Sequence, residues 1–138
     1  MANYYGMGRT NIFAVKDVAA LREAVAAGEF TVEERVHVGP NMVALFTDDE
    51  TGDWCQWIYP EDGEPEELSV PDLIAEHLID GQVAVFMHVG NEKQRYYCGR
   101  GLAVHSSGKQ VCIDIETIYA LAAAAFGVSY DSISRAVY

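Results

Sequence analysis

The pattern that most constrains the fold lies between Gln82 and Ile113, where polar and apolar residues alternate along successive segments. An alternation with a period of two is typical of β-strands that bury one face. The segments cover residues 82–89, 94–105 and 110–113, and the breaks at Asn91-Glu92 and Ser107-Gly108 suit tight hairpin turns. The sequence therefore predicts an antiparallel meander of three strands.

These turns also predict a register, in which Val89 pairs with Gln94 and His105 pairs with Gln110. One face of the meander is then predicted to be the core face, and it carries Val83, Val85, Met87, Val89, Tyr96, Cys98, Leu102, Val104, Val111 and Ile113. The opposite face carries Gln82, Ala84, Phe86, His88, Arg95, Tyr97, Gly99, Gly101, Ala103, His105 and Cys112. A shift of the register by one residue would exchange the two faces.

The other elements are predicted from helical spacing, caps and turns. Strands are expected at residues 11–16, 30–38, 42–47 and 54–59, with a polar loop at residues 60–68. Helices are expected at residues 18–27 and from Pro71 to near Gly81. A third helix, residues 116–126, is apolar nearly all round, which predicts that it is buried across the sheet. We expect an α+β fold, with an antiparallel sheet of about six strands and helices packed on one face.

The length of the chain, 138 residues, fits a single domain spanning residues 1–138. We expect residues 1–9 to form an N-terminal arm and residues 128–138 to form a tail or an edge strand. The three cysteines have no paired spacing, which favours reduced thiols in a cytoplasm. No signal-peptide pattern is present, and no apolar run approaches the roughly 18 to 20 residues of a membrane span. The prediction is therefore a cytoplasmic protein without membrane contact.

The charge of the chain is concentrated in its middle. Residues 36–92 hold 13 acidic residues and no lysine or arginine, while the net charge of the whole chain is −12. Such a field repels nucleic acid and anionic membranes and attracts basic surfaces. Direct nucleic-acid binding is therefore not expected, and a basic protein surface is the predicted partner. Salt adaptation or a need for solubility would give the same composition.

Two acidic segments, residues 48–53 and 61–67, are the candidate contact surface, because aromatic side chains between them could anchor a partner. The predicted partner-binding residues are Asp48, Asp49, Glu50, Asp53, Trp54, Trp57, Tyr59, Glu61, Asp62, Glu64, Glu66 and Glu67. Neither segment has the ligand spacing of a calcium-binding EF-hand, and the histidines and cysteines lack zinc-site spacing. We therefore predict no metal and no cofactor.

The histidines support an alternative hypothesis, a small enzyme or ligand-binding domain that uses His77, His88 or His105 with nearby acids. In the predicted register, His88 and His105 lie on the same sheet face as Arg95. No triad of a nucleophile, a histidine and an acid is visible, so no catalytic residue is assigned and an enzyme is the less favoured hypothesis. A further alternative is a homodimer of unknown role, which associates through the glycine-bearing sheet face or the C-terminal tail.

Several short segments resemble small uncharacterised proteins that are carried on bacterial plasmids and phages. These segments are Asn3-Tyr4-Tyr5-Gly6, Arg9-Thr10-Asn11, Phe13, Val15-Lys16-Asp17, residues 80–85 and residues 90–93. The resemblance covers a minor part of the chain and includes no catalytic motif. It implies a mobile genetic element, a setting in which small acidic inhibitors of host defence nucleases are common, and it carries over no site residues.

The leading hypothesis is a non-enzymatic acidic interaction protein. Its carboxylates would mimic the phosphates of nucleic acid and occupy a basic groove of a nuclease or CRISPR effector, in the manner of anti-restriction and anti-CRISPR proteins. Trp54, Trp57 or Tyr59 would then anchor the partner between the two acidic segments.

Overall fold

The computed structural model describes residues 3–137, and its centre is an antiparallel sheet of seven strands. The strands of the chain are β1 (Tyr5–Thr10), β2 (Phe13–Ala14), β3 (Phe30–Glu34), β4 (Met42–Thr47), β5 (Cys55–Ile58), β6 (Glu66–Ser69), β7 (Val83–Glu92), β8 (Tyr96–His105) and β9 (Gln110–Asp114). The helices are α1 (Val18–Val25), α2 (Val70–Ile74) and α3 (Thr117–Phe126), and short 3-10 turns cover Ala75–His77 and Tyr130–Ser132. The predicted α+β class is confirmed.

The sheet runs in the order β2-β4-β1-β7-β8-β9, with β3 paired to β4. Strands β5 and β6 form a separate hairpin. Helices α1 and α2 and the hairpin cover one face of the sheet, which we call the inner face. The core lies there, and its largest fully buried side chains include Phe13, Phe86, Leu21, Leu45 and Ile74.

The predicted first helix is confirmed in its start and in its buried stripe. Asp17 accepts hydrogen bonds from the backbone nitrogens of Ala19 (2.9 Å) and Ala20 (3.3 Å), which fixes the first turn of α1. Leu21 and Val25, four residues apart, are buried against the core. The apolar spacing in the sequence therefore positions α1 correctly.

The predicted N-terminal arm is wrong, because residues 5–10 form a central strand. β1 lies between β4 and β7, and six of its residues pair with β7, from Tyr5 opposite Asn91 to Thr10 opposite Phe86. Its inward-facing positions include Gly6 and Gly8, which have no side chain to give an apolar alternation. The predicted polar loop at residues 60–68 is also partly a strand, since β6 pairs with β5.

The predicted face of β7 is wrong. Strand β7 runs on to Glu92, which pairs with Tyr96, so Val89 lies opposite Gly99 and not Gln94. This offset is an odd number of residues, and it therefore reverses the face of β7 relative to β8. Ala84, Phe86 and His88 are buried, whereas Met87 and Val89 are 52% and 54% exposed. The inward positions of β8 are as predicted, and Val104 is fully buried. The predicted face of β9 is wrong as well, because Gln110 pairs with Val104 and not with His105, which places Val111 and Ile113 on the exposed face.

The predicted burial of the last helix is also wrong. No residue of α3 is buried, and Ile118, Leu121 and Phe126 are 59%, 59% and 76% exposed. The helix ends at Gly127, which has the left-handed backbone conformation of a helix C-cap (φ 66°). The described residues that follow contain a single 3-10 turn and no strand, so residues 128–137 form a tail rather than an edge strand.

None of the helices formed by residues 3–137 combines the length and the apolar character needed to cross a membrane.

Candidate functional site

The first acidic segment is held against β1 by the two glycines of that strand. The Gly6 nitrogen donates to the Glu50 carbonyl at 2.8 Å, and the Gly8 nitrogen donates to the Thr47 hydroxyl at 2.9 Å. Gly52 takes a left-handed backbone conformation (φ 67°) where the loop passes over β1. A side chain at Gly6 would occupy the space of the loop backbone. The glycines therefore let the acidic loop lie directly on the sheet.

Three carboxylates of this loop are oriented by hydrogen bonds. Asp48 accepts from the Thr31 hydroxyl at 2.6 Å, Asp49 from the Gly52 nitrogen at 3.1 Å, and Asp53 from the Cys55 nitrogen at 3.1 Å. Hydrogen bonds from neutral donors leave the carboxylates with their negative charge and with further acceptor sites. The loop therefore presents its acids in fixed positions.

The second acidic segment forms the tip and one strand of the β5–β6 hairpin. Trp57 pairs with Glu67, and Ile58 pairs with Glu66, so these acids lie beside apolar side chains. The tip acids Glu61, Asp62 and Glu64 are exposed. Between residues 3 and 137 the ion pairs are Arg35–Glu33 (3.0 Å) and Arg95–Glu92 (3.9 Å), and neither involves an acid of residues 48–67. The negative charge of both segments is therefore uncompensated.

An open cleft of about 370 Å³ lies between the acidic loop and the hairpin. Glu29, Asp49, Asp53 and Trp57 are among the residues that line it. The backbone nitrogen of Glu29 donates to the Gln56 side chain at 2.7 Å, which ties the segment between α1 and β3 to the hairpin. The cleft therefore combines several acidic residues with an exposed aromatic ring, which is chemistry suited to a cationic side chain.

The aromatic residues predicted as anchors lie in different environments. Trp54 is 5% exposed, its ring stacks on Phe30 at 5.7 Å, and its indole nitrogen donates to the Met87 carbonyl at 3.1 Å. It is a core residue and cannot contact a partner in this fold. Trp57 and Tyr59 are 61% and 76% exposed. These two remain available as anchors.

The three histidines of the enzyme hypothesis do not meet in one cleft. His88 faces the inner side of the sheet, whereas His105 lies opposite Val83 on the other side and bonds Ser107 at 2.8 Å. His77 is in the 3-10 turn after α2, where its carbonyl accepts from the Lys16 nitrogen at 2.8 Å. Arg95 is in the turn before β8. The shared face predicted for His88, His105 and Arg95 is therefore wrong.

His88 belongs to a chain of polar side chains at the edge of the core. Its Nδ1 lies 3.2 Å from the Arg100 guanidinium, and its Nε2 lies 2.9 Å from the Tyr4 hydroxyl. A guanidinium can only donate, so Nδ1 accepts and Nε2 carries the proton that is donated to Tyr4. Burial and a hydrogen bond with Cys98 raise the pKa of Tyr4 to about 12. Both ring nitrogens of His88 thus have a hydrogen-bond partner within the fold.

The environment of His88 predicts a pH dependence of stability. Burial, followed by the neighbouring Arg100 charge, lowers the pKa of His88 below its ordinary value of about 6.5. As the pH falls, the unfolded chain therefore binds a proton at a higher pH than the folded protein does. The stability that neutral His88 contributes is present above about pH 6.5 and is lost as the pH falls through the lowered pKa. We expect the melting temperature to drop more between pH 8 and pH 5 in wild type than in His88→Gln. Parallel melting curves across these pH values would contradict the prediction.

Metal-binding geometry is not seen in the part of the chain that the structure describes. Within residues 3–137, no group of three or more histidine, cysteine, aspartate or glutamate side chains is arranged to hold an ion. The described cysteines are unpaired: Cys55 and Cys112 are exposed, and Cys98 is half-buried. The prediction of no metal and no cofactor stays a prediction.

Residues outside the acidic stretch complete the candidate site, and they are not among the predicted partner-binding residues. Glu29 joins the cleft from the segment directly before β3, and Gly6 and Gly8 carry the acidic loop. The two glycines have the spacing of one strand face, a signal that another backbone passes close by. No signal in the sequence links Glu29 to Trp57, because only the paired hairpin brings them together.

Comparison with known proteins adds no relative from which a function could be transferred. The chain matches no protein-family model, no curated protein and no solved structure.

Proposed function

We propose that the protein is a non-enzymatic binder of basic protein surfaces and that the acidic cleft beside Trp57 is its contact site. The observation that carries this proposal is that Glu29, Asp49 and Asp53 line one cleft together with an exposed tryptophan. A guanidinium group stacked on the ring could donate to the carboxylates at the same time. Such a cleft would select arginine over a diffuse positive charge, because the fork geometry of arginine suits carboxylates.

The hairpin tip would extend the contact beyond the cleft. Its acids are exposed and have no cationic neighbour among residues 3–137, and Tyr59 stands at the base of the tip. A row of fixed carboxylates on a protein surface repels nucleic acid and competes with it for basic grooves. We therefore propose a nucleic-acid-handling protein, such as a nuclease or CRISPR effector, as the partner. The free cysteines suit a cytoplasmic setting for this encounter.

Replacing Asp48, Asp49, Glu50 and Asp53 by their amides should weaken binding to a basic partner at least tenfold, since each lost charge removes steering and a charge-assisted contact. Asparagine keeps an oxygen that can accept the loop hydrogen bonds, so the melting temperature should change little. The probe is a partner captured from lysate or, before one is known, an arginine-rich peptide. Affinity should also fall as salt rises, because exposed charges are screened over about 8 Å at physiological ionic strength.

A matched control separates the cleft from net charge alone. Glu23, Glu34, Glu116 and Asp131 are exposed acids outside both acidic segments, and their amides change the net charge by the same amount. Trp57→Ala supplies a test that leaves the charge untouched. In the Trp54→Phe variant Trp57 is the one remaining tryptophan, so its fluorescence reports a cation bound beside it. Equal losses of affinity in the loop and control variants would leave solubility or salt adaptation as the explanation of the acids.

A further inference from the structure

The outer face of the sheet, which no helix covers, is largely apolar. Met87 and Val89 of β7 and Val111 and Ile113 of β9 project from it, and they are 52%, 54%, 72% and 73% exposed. Strand β8 between them presents Gly99, Gly101 and Ala103, so the sheet has a trough along β8 with a ridge on each side. The trough has a volume of about 240 Å³ and its walls are almost entirely apolar. A face of this kind is typical of a covered surface.

The same chain carries an apolar helix that covers nothing. α3 contains no charged residue, and Ile118, Leu121 and Ala125 form an exposed stripe along one side of it. Its other side meets the tail, where the Ala136 nitrogen donates to the Tyr119 hydroxyl at 2.7 Å. Arg135 lies over the rings of Tyr119 (4.3 Å) and Tyr130 (4.1 Å). The helix and the tail thus form a small unit of their own.

Hydrogen bonds fix the direction in which this unit leaves the sheet. The Ile115 nitrogen donates to the Gly99 carbonyl at 2.9 Å, and Asp114 accepts from the Thr117 nitrogen at 3.2 Å. Ile115 also packs at Gly99, at one end of the trough. Only Ile115 and Glu116 join β9 to α3. A link this short, with its backbone bonded, holds α3 away from the trough of its own chain.

The total accessible surface area of the chain is larger than that of a typical monomer of its mass. A folded monomer of 15.2 kDa exposes about 7,100 Å². This chain exposes 8905 Å², an excess of roughly 1,800 Å². A stable interface needs about 800 Å² from each partner. The excess is therefore large enough for a stable dimer.

We propose that two copies of the chain form a symmetric dimer in which α3 of each copy packs in the β8 trough of the other. A two-fold axis relates the two contacts, so both helices and both troughs are covered at once. The stripe from Ile118 to Ala125 is about 10 Å long and would lie over Gly101 and Ala103, the part of the trough that Ile115 leaves open. The small residues of the trough leave space that the side chains of Ile118 and Leu121 would fill. This proposal is independent of the acidic cleft.

Sedimentation equilibrium of the full chain tests the proposal with one variant on each side of the contact. We expect wild type at twice the chain mass and both Gly101→Glu and Leu121→Glu at the chain mass. The fold should tolerate both changes, since a Cβ at Gly101 would lie 3.5 Å from the Met87 sulfur and Leu121 is 59% exposed. Val36→Glu is the control, because Val36 is 75% exposed in the turn between β3 and β4, and it should stay dimeric.

Mixing the two variants identifies the contact. In a dimer of either variant alone, both symmetric contacts are broken. A mixed dimer keeps one contact intact. In that contact, the unchanged helix of the Gly101→Glu copy packs in the unchanged trough of the Leu121→Glu copy. We therefore expect dimer in the equimolar mixture and not in either variant. A monomeric wild type, a dimeric Leu121→Glu variant or a mixture without dimer would each overturn the proposal. If Leu121→Glu loses its circular dichroism spectrum, Ile118→Glu replaces it, because Ile118 is also 59% exposed.

Discussion

Replacing Gly6 by alanine is expected to destabilise the protein by about 3 kcal/mol or more, because the new methyl group has no space. Its Cβ would overlap the Thr51 carbonyl oxygen and lie 2.9 Å from Nε2 of His88. The Thr51 contact is with backbone, so relief would require the acidic loop to lift from β1. The hydrogen bond from the Gly6 nitrogen to the Glu50 carbonyl would then break. Urea unfolding followed by circular dichroism measures the loss.

Gly39→Ala is the control for this change. Gly39 lies in the turn between β3 and β4, away from the acidic cleft and the β8 trough, and a Cβ there would lie 3.4 Å from the Met42 Cγ, an ordinary contact. The alanine should cost less than about 1 kcal/mol, because Gly39 is not among the glycines with a left-handed backbone conformation. If the two alanine variants unfold at the same urea concentration, the close passage of the loop over β1 is wrong.

The sequence predicts the parts of this fold in which each element shows its own periodicity. The alternation in β8 and the apolar spacing of Leu21 and Val25 identify buried faces correctly, because a single buried face leaves a direct signal. β1 leaves no such signal, since the loop backbone and not a side chain fills the space beside Gly6 and Gly8. A strand whose inward positions are glycines shows no alternation of hydrophobic residues, so its sequence is read as a flexible arm.

The face of β7 could not be predicted because both of its faces are apolar. Val83, Val85, Met87 and Val89 alternate with Ala84 and Phe86, so the choice of face depends on the turn to β8. That turn is longer than predicted, and Lys93 takes a left-handed conformation (φ 53°) within it. An odd change in register reverses every side chain of the strand. The apolar outer face of β7 is thus the same observation that motivates the proposed dimer.

The candidate site was predictable in its charge and not in its shape. The absence of lysine and arginine from residues 36–92 is visible in the sequence and predicts a negative surface. The cleft, by contrast, requires Glu29 from the segment before β3, Asp49 from the loop and Trp57 from the hairpin, which are far apart along the chain. Their meeting depends on tertiary packing, including the hydrogen bond between Glu29 and Gln56. Composition indicates a negatively charged surface, while the fold decides which side chains line the cleft.

The two tryptophans, which look alike in the sequence, should respond oppositely to alanine substitution. Trp54→Ala should lower the free energy of unfolding by about 3–5 kcal/mol, because it removes a buried ring and leaves a cavity. That ring stacks on Phe30, meets Phe86 edge-on at 5.0 Å and donates to the Met87 carbonyl. Trp57→Ala should change stability by less than about 0.5 kcal/mol, because Trp57 is 61% exposed.

Peptide binding should be weakened by substitution of Trp57 and not by substitution of Trp54, the reverse of the effects on stability. This contrast separates the structural role of Trp54 from the binding role proposed for Trp57. Trp57→Ala should weaken binding of the arginine-rich peptide, since it removes the ring that a guanidinium would stack on. Trp54→Phe, which keeps most of the buried ring but loses the indole donor, should bind the peptide as wild type does while unfolding at lower urea concentration. Denaturant unfolding and fluorescence or calorimetric titration on the same preparations give both readings. If Trp54→Phe and Trp57→Ala were equally stable and bound the peptide equally weakly, Trp54 would be exposed in solution. The packing of the hairpin against the sheet would then be wrong.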